Sequence, residues 1–91
     1  SNELAAFIFA RSGLAVKHGL GLTNSVGVID SDYRGELKVI LINLGDSDFE
    51  ISSGDRIAQI IVSPVTVGNF VISNSLSDTE RGNSGFGSTG V

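Results

Sequence analysis

Short runs of apolar and β-branched residues alternate with glycine, aspartate and serine along the chain. This spacing is typical of strands separated by turns, and it predicts strands at residues 7–9, 25–29, 37–44, 49–51, 57–62 and 65–72. No window keeps a helical period of apolar positions over ten residues, so residues 12–18 are expected to form a turn or two of helix at most. The pattern therefore predicts an all-β fold.

Two of the predicted strands carry informative patterns. The run at residues 37–44 is apolar at nearly every position, as expected of a strand covered on both faces. In the run at residues 57–62, Gln59 shares one face with Ile57 and Ile61 and interrupts an apolar stripe. A buried glutamine needs hydrogen-bond partners, so Gln59 is expected either to bond to backbone or to point at a ligand.

The segment Asp30-Ser31-Asp32-Tyr33-Arg34-Gly35 lies between two predicted strands and is expected to form a hairpin tip. Turn-forming residues explain its shape but leave its chemistry open. It is either a solvated turn or a site in which a carboxylate acts as general base and an aromatic ring packs on a sugar or a base. Residues 44–48 and 52–55 are expected to be plain turns without chemistry.

The C-terminal segment, residues 81–90, combines four glycines with Arg81, Phe86 and several hydroxyl side chains. It has too little apolar area to order itself, so it is either a mobile tail or a lid that orders around a phosphate and a base. We accordingly divide the chain into a β domain at residues 1–72 and a linker with a C-terminal lid at residues 73–91.

Composition narrows the function classes. A chain of 91 residues forms one domain at most, and its 41% hydrophobic content favours an oligomer with buried subunit faces.

A net charge of −4 argues against a nucleic-acid groove, and the longest apolar run, at residues 4–10, is too short to cross a bilayer. We expect a cytoplasmic protein that binds neither nucleic acid nor membrane. The absence of cysteine excludes disulfides and thiolate sites, and the single His18 is expected to be a solvated turn residue.

Four segments, taken in order, resemble motifs of the trimeric dUTPases, the deoxyuridine triphosphate nucleotidohydrolases. Residues 10–15 are similar to the second motif of that family and residues 24–36 to the third, while residues 54–59 and 81–90 are similar to the fourth and fifth. The resemblance covers nearly the whole chain. It implies a jelly-roll-like β subunit, a homotrimer whose active sites each draw on three chains, and hydrolysis of dUTP to dUMP and pyrophosphate with Mg²⁺.

The resemblance also implies roles for individual residues. Asp30 would be the general base that orients water toward the α-phosphorus, and Tyr33 would pack on the deoxyribose and exclude a 2′-hydroxyl. The Mg²⁺ ion would be held by the triphosphate and water, with no direct protein ligand. The remaining implied substrate-binding residues are Asn24, Val28 and Ile29 for uracil, Arg11, Ser12, Gly13, Lys38 and Gln59 for the phosphates and nucleotide, and Arg81, Phe86, Gly87, Ser88 and Thr89 in the lid.

The chain departs from the family pattern at two places. Ala10 stands where many members have proline, and nothing in residues 1–9 resembles the first motif, whose aspartate helps to position magnesium. We therefore expect an N-terminally truncated member, and a catalytically impaired trimer that acts as a nucleotide- or protein-binding module remains the alternative. The related dCTP deaminases need a glutamate in the strand after the hairpin. Residues 37–44 contain no acid, and Ile40 stands at that position, so we do not expect deamination.

Overall fold

Five strands and one short helix form the regular structure of residues 3–79 and 82–85, the part of the chain that the computed structural model describes. The all-β prediction is confirmed, since the helix has seven residues and matches the turn or two expected there. In chain order the elements are β1 (Leu4–Ala10), α1 (Ser12–His18), β2 (Leu20–Leu22), β3 (Gly27–Ile29), β4 (Leu41–Asn43) and β5 (Ala58–Pro64).

The longest strands form an antiparallel sheet of three strands in the order β3-β1-β5. Strand β1 lies in the middle, with Ile8 opposite Gly27 of β3 on one side and Ile60 of β5 on the other. Ala5 and Ile8 of this strand are buried. A central strand has both of its edges hydrogen-bonded, so β1 joins β3 and β5 into one sheet.

A second, two-stranded sheet pairs β2 with β4. Leu20 and Leu22 of β2 are buried and complete the small apolar core. The pairing continues past both strand ends, because Thr23 N donates to Ile40 O at 2.8 Å and Leu44 N donates to Gly19 O at 2.8 Å. The sequence pattern misses β2, since glycines at positions 19 and 21 interrupt its short apolar run.

Helix α1 ends where its backbone crosses the residues that follow β4. Gly19 adopts a left-handed conformation with φ of 71°, and its N–H donates to Ala15 O at 3.0 Å. A Cβ added at Gly19 would lie 2.5 Å from Gly45 N, and one added at Gly45 would collide with the carbonyl oxygen of His18. Glycine is therefore required on both sides of this crossing.

Several predicted strands are shorter than expected or do not form. Of residues 37–44 only Leu41–Asn43 are a strand, and in the described structure residues 49–51 and 65–72 form none. Directly after β5, Val65 N donates to Glu3 O at 2.6 Å. A strand exists only where its backbone groups find a neighbouring strand, and apolar composition alone does not supply one.

Large apolar side chains remain exposed on the paired strands and in the loops. Ile60, Ile61 and Val62 of β5 are 50–63% exposed, and Leu37 is 57% exposed, so the expectation that residues 37–44 are covered on both faces is wrong for the isolated chain. The Cα radius of gyration is 19.1 Å, against about 12 Å for a compact domain of this length. The chain buries little of its own apolar surface.

Candidate functional site

An open pocket of about 410 Å³ lies where β1 continues into α1, beside the start of β5. Its lining contains three permanently cationic side chains and no carboxylate. We call it the cationic pocket, and its lining residues are Arg11, Ser12, Gly13, Leu14, Lys17, His18, Arg56 and Gln59. A concave surface that concentrates one sign of charge favours a ligand with several charges of the other sign, such as a polyphosphate.

The register of β5 on β1 brings the two sides of the cationic pocket together. Ala10 lies opposite Ala58, so Arg11 leaves β1 at the end where β5 begins. Gln59 Nε2 donates to Ala10 O at 3.4 Å, and the side chain is exposed. The expectation that Gln59 is buried is wrong, because β5 is the edge strand of the described sheet. Its bond to Ala10 O agrees with the first alternative, a backbone partner, and its place in the lining leaves contact with a ligand as a prediction.

Helix α1 contributes the remaining wall of the cationic pocket. Arg11 precedes the helix in an extended conformation, with φ −89° and ψ 125°, and its carbonyl accepts a hydrogen bond from Ala15 N at 3.0 Å. Gly13 and Lys17 are four residues apart, so they lie on one side of the helix. His18 is exposed at the last helical position, and its ring lies 4.6 Å from that of Phe49.

Sequence reasoning did not assign Lys17 or Arg56 to a site. Lys17 lies four residues after Gly13, so helical spacing alone could have placed it on the same side of α1. Arg56 carries no such local signal, because it reaches the pocket through the pairing of β5 with β1. It follows a turn in which Ser52 N donates to Asp55 Oδ2 at 2.9 Å and Asp55 N donates to Ser52 O at 3.1 Å. The Asp55 carboxylate is thus engaged within its own turn.

A second open pocket, of about 210 Å³, lies beside the pairing of β1 with β3. Its lining combines aliphatic side chains with an amide, two carboxylates, a lysine and an aromatic ring. We call it the nucleoside-sized pocket, and its lining residues are Ile8, Asn24, Gly27, Val28, Ile29, Asp30, Tyr33, Glu36, Leu37 and Lys38. Apolar walls with a few convergent polar groups are typical of sites that orient a small organic ligand.

Asn24 lines the nucleoside-sized pocket next to the close packing around Gly27. A Cβ added at Gly27 would lie 3.3 Å from Ile8 Cβ and 3.6 Å from Asn24 Nδ2. The preceding turn is fixed by hydrogen bonds from Ser25 N to Leu22 O at 3.0 Å and from Val26 N to Asn24 O at 2.7 Å. An amide side chain offers both a donor and an acceptor, so Asn24 can pair with the edge of a planar heterocycle.

The segment from Asp30 to Glu36 is a self-bonded loop. The prediction of a hairpin tip is wrong, because β3 pairs with β1 and β4 pairs with β2. The loop instead satisfies its carbonyls locally: Tyr33 N donates to Asp30 O at 3.1 Å, and Arg34 Nη1 donates to Ser31 O at 2.8 Å. Tyr33 Oη donates to Glu36 O at 2.7 Å. Tyr33 and Asp30 both line the nucleoside-sized pocket.

The residues expected at a site divide between the two pockets, which share no lining residue. Arg11, Ser12, Gly13 and Gln59 line the cationic pocket, whereas Asn24, Val28, Ile29, Asp30, Tyr33 and Lys38 line the nucleoside-sized pocket. The remaining expected residues lie outside the described part of the chain, and they are Arg81, Phe86, Gly87, Ser88 and Thr89.

Among residues 3–79 and 82–85, no group of three or more His, Cys, Asp or Glu side chains is placed to hold a metal ion. The expectation that the triphosphate and water hold Mg²⁺ remains a prediction. No helix in the same ranges is long and apolar enough to cross a membrane, and the cytoplasmic location remains a prediction.

Comparison with known proteins gives a consistent family match. The dUTPase family model matches residues 1–90. The deoxyuridine 5′-triphosphate nucleotidohydrolase of Desulfitobacterium hafniense (strain DSM 10664 / DCB-2) is 58% identical over 97% of this chain. The protein of the same name from Rickettsia canadensis is 62% identical over 94% of the chain. The chain spans 58% of the length of each of these two relatives.

The fold also matches a solved structure. The dUTPase of Staphylococcus bacteriophage 80alpha, solved with dUpNHpp, superposes on this chain with a TM-score of 0.80. The superposition covers 100% of this chain and 69% of the phage protein, at 23% sequence identity. The likeness supports the expected jelly-roll-like β architecture.

Proposed function

The chain belongs to the dUTPase family, and we propose that it supplies the nucleotide site of a dUTP diphosphatase, which hydrolyses dUTP to dUMP and pyrophosphate. The observation that carries the proposal is the division of chemistry between the two pockets. One pocket gathers cationic side chains without a carboxylate, and the other combines apolar walls with an amide, a ring, a lysine and two carboxylates. A nucleoside triphosphate has the same division between its phosphates and its nucleoside.

The nucleoside-sized pocket binds deoxyuridine in this proposal. Asn24 and the backbone of Val28 and Ile29 pair with the uracil edge, because they lie together beside the β1–β3 pairing. Tyr33 packs on the deoxyribose, and its ring leaves no room for a 2′-hydroxyl. Lys38 lies in the same lining and contributes a positive charge toward the nucleotide.

The cationic pocket binds the triphosphate. Arg11 presents a planar guanidinium to phosphate oxygens, and Ser12, Gly13 and Gln59 add neutral donors. Lys17 and Arg56 extend this set, although sequence reasoning assigned them no role. Charge-assisted hydrogen bonds of this kind also stabilise the charge that accumulates on the departing pyrophosphate.

Asp30 is the general base. Its carboxylate takes a proton from a water molecule while the water oxygen bonds to the α-phosphorus, and the bond from that phosphorus to the bridging oxygen breaks. The electron pair leaves with pyrophosphate, and dUMP retains the oxygen from water. We propose that Mg²⁺ enters with the triphosphate, whose oxygens would hold it together with water.

We further propose that the active sites assemble in a homotrimer. The two pockets share no lining residue within one chain, and exposed apolar residues on β5 and at Leu37 and Ile40 offer surface that a second copy would bury. In such an assembly the cationic pocket of one copy faces the nucleoside-sized pocket of another. In this proposal a third copy supplies the lid: Arg81 reaches the γ-phosphate, Phe86 stacks on uracil, and Gly87, Ser88 and Thr89 bind the substrate as the lid closes.

Pyrophosphate release with Mg²⁺ tests the proposal. The full chain is incubated with dUTP, dCTP, dTTP or UTP, and released pyrophosphate is measured over time. The proposal predicts selective release from dUTP. Binding of dUTP without release from it would instead support the alternative of a nucleotide-binding module, and equal release from all four nucleotides would contradict the pocket assignments.

A further inference from the structure

We propose that Gly35 is a specificity-determining position, because its lack of a side chain lets the Tyr33 ring occupy the place from which it excludes a ribose 2′-hydroxyl. Gly35 acts through Tyr33 and is therefore a positioning residue. The inference rests on the proposed function for the identity of the ligand, a deoxyribonucleotide. It adds a residue that neither the implied site nor the lining of either pocket contains.

The ring of Tyr33 lies directly over Gly35. A Cβ added at Gly35 would fall 2.6 Å from Tyr33 Cζ and 2.9 Å from Cε1, and closer still to Oη. Real Cβ atoms do not approach other heavy atoms this closely, so the ring and a side chain at position 35 exclude each other. The ring is 48% exposed, which means that the surrounding packing does little to restrain it.

One hydrogen bond also restrains the Tyr33 ring. Tyr33 Oη donates to Glu36 O at 2.7 Å, across the space above Gly35. Arg34 Nη1 holds the loop carbonyls at Ser31 and Tyr33, at 2.8 Å and 3.1 Å. The loop backbone is thus anchored independently of the phenol, and the position of the ring depends on the contact with Gly35 and on the bond to Glu36.

Alanine at position 35 is expected to move the ring without unfolding the chain. Gly35 is not among the glycines with positive φ, so its backbone accommodates an alanine without strain. The clash falls on the far end of an exposed side chain, which can rotate away. The displaced ring no longer covers the 2′ position, so discrimination against ribonucleotides falls while the β core persists.

The test compares Gly35→Ala with Gly68→Ala in the full chain. Gly68 is a matched control, because a Cβ added there meets nothing within 4 Å and its φ is not positive. Tyr33→Phe is a second variant that keeps the ring and removes the bond to Glu36. Binding selectivity is measured as the ratio of dissociation constants for α,β-imido-UTP and α,β-imido-dUTP, which requires no turnover.

Tyrosine fluorescence supplies a readout that does not depend on the ligand. The chain has one tyrosine and no tryptophan, so quenching by acrylamide reports Tyr33 alone. For Gly35→Ala we expect stronger quenching and a loss of selectivity of about tenfold or more. Tyr33→Phe should lose selectivity to a smaller degree, and Gly68→Ala should retain the quenching and selectivity of the parent protein.

The outcomes separate this inference from the proposed function. Unchanged selectivity in Gly35→Ala overturns the inference, even if the parent protein hydrolyses dUTP. Selective binding of the deoxy analogue by a parent protein that does not hydrolyse dUTP, with that selectivity lost in Gly35→Ala, supports the inference and overturns the proposed hydrolysis. Equal binding of both analogues by the parent protein overturns the inference regardless of turnover.

Discussion

Replacing Gly19 with alanine tests the backbone crossing that positions α1 beside the cationic pocket. Gly19 ends the helix with φ of 71°, and an added Cβ would lie 2.5 Å from Gly45 N and 2.8 Å from Gly45 Cα. Both obstacles are backbone atoms, which cannot rotate away as a side chain can. The variant must therefore separate the end of α1 from the segment after β4, and Lys17 and His18 move with it.

Three effects determine how much the free energy of unfolding changes in Gly19→Ala. A left-handed conformation costs alanine about 1–2 kcal/mol because Cβ crowds the following carbonyl oxygen. Forcing a methyl group into close-packed atoms costs about 1–3 kcal/mol. Alanine leaves the unfolded chain fewer conformations than glycine does, which offsets about 0.4–1 kcal/mol of this destabilisation. The free energy of unfolding should therefore fall by about 1–5 kcal/mol.

Gly54→Ala provides the matched control, because Gly54 has φ of 91° but nothing lies within 4 Å of an added Cβ. It retains the conformational strain and lacks the clash, so we expect a loss of about 1.5 kcal/mol or less. Urea unfolding followed by circular dichroism measures both variants, at one fixed protein concentration because assembly changes apparent stability.

Equal losses of unfolding free energy in Gly19→Ala and Gly54→Ala would contradict a steric clash at Gly45. They would show that conformational strain accounts for the whole effect and that the crossing at Gly45 is not tight. A selective loss in Gly19→Ala, accompanied by weaker binding of inorganic triphosphate, would link the crossing to the cationic pocket.

Three further predictions concern the proposed site and assembly. Asp30→Asn should lower kcat by about 10²–10⁴-fold while binding of α,β-imido-dUTP is retained, and equal losses of binding and turnover would make Asp30 a structural residue. Arg56→Ala should weaken binding of α,β-imido-dUTP by about tenfold or more and binding of dUMP much less, whereas Arg56→Lys should recover part of the loss in a calorimetric titration. Ile61→Asp, on the exposed part of β5, should shift the protein from trimer to monomer in sedimentation velocity, and an unchanged trimer would place the interface elsewhere.

Local chemistry made much of the site predictable. Ser12 and Gly13 follow Arg11 directly in the chain, and Asp30 and Tyr33 belong to one loop, so their proximity needs no long-range contact. Their assignment to a nucleotide came from the resemblance to a family. The residues themselves left the loop open between a solvated turn and a site.

Long-range pairing made the rest unpredictable. Arg56 reaches the cationic pocket because Ala58 pairs with Ala10, and no periodicity within residues 54–59 reveals that register. The predicted strand at residues 65–72 fails for a related reason. Its apolar residues favour an extended chain. Phe70 and Ile72 are nevertheless fully exposed, and no described segment pairs with residues 65–72. Strand propensity is realised only beside a partner.

Hydrolysis of dUTP by the full chain in ¹⁸O-labelled water tests the proposed attack by water at the α-phosphorus. Mass spectrometry of the products identifies the phosphorus that was attacked. We expect one labelled oxygen in dUMP, unlabelled pyrophosphate, and a loss of both products in Asp30→Asn. Label in pyrophosphate, or an undiminished rate in the Asp30 variant, would contradict attack at the α-phosphorus by water that Asp30 activates.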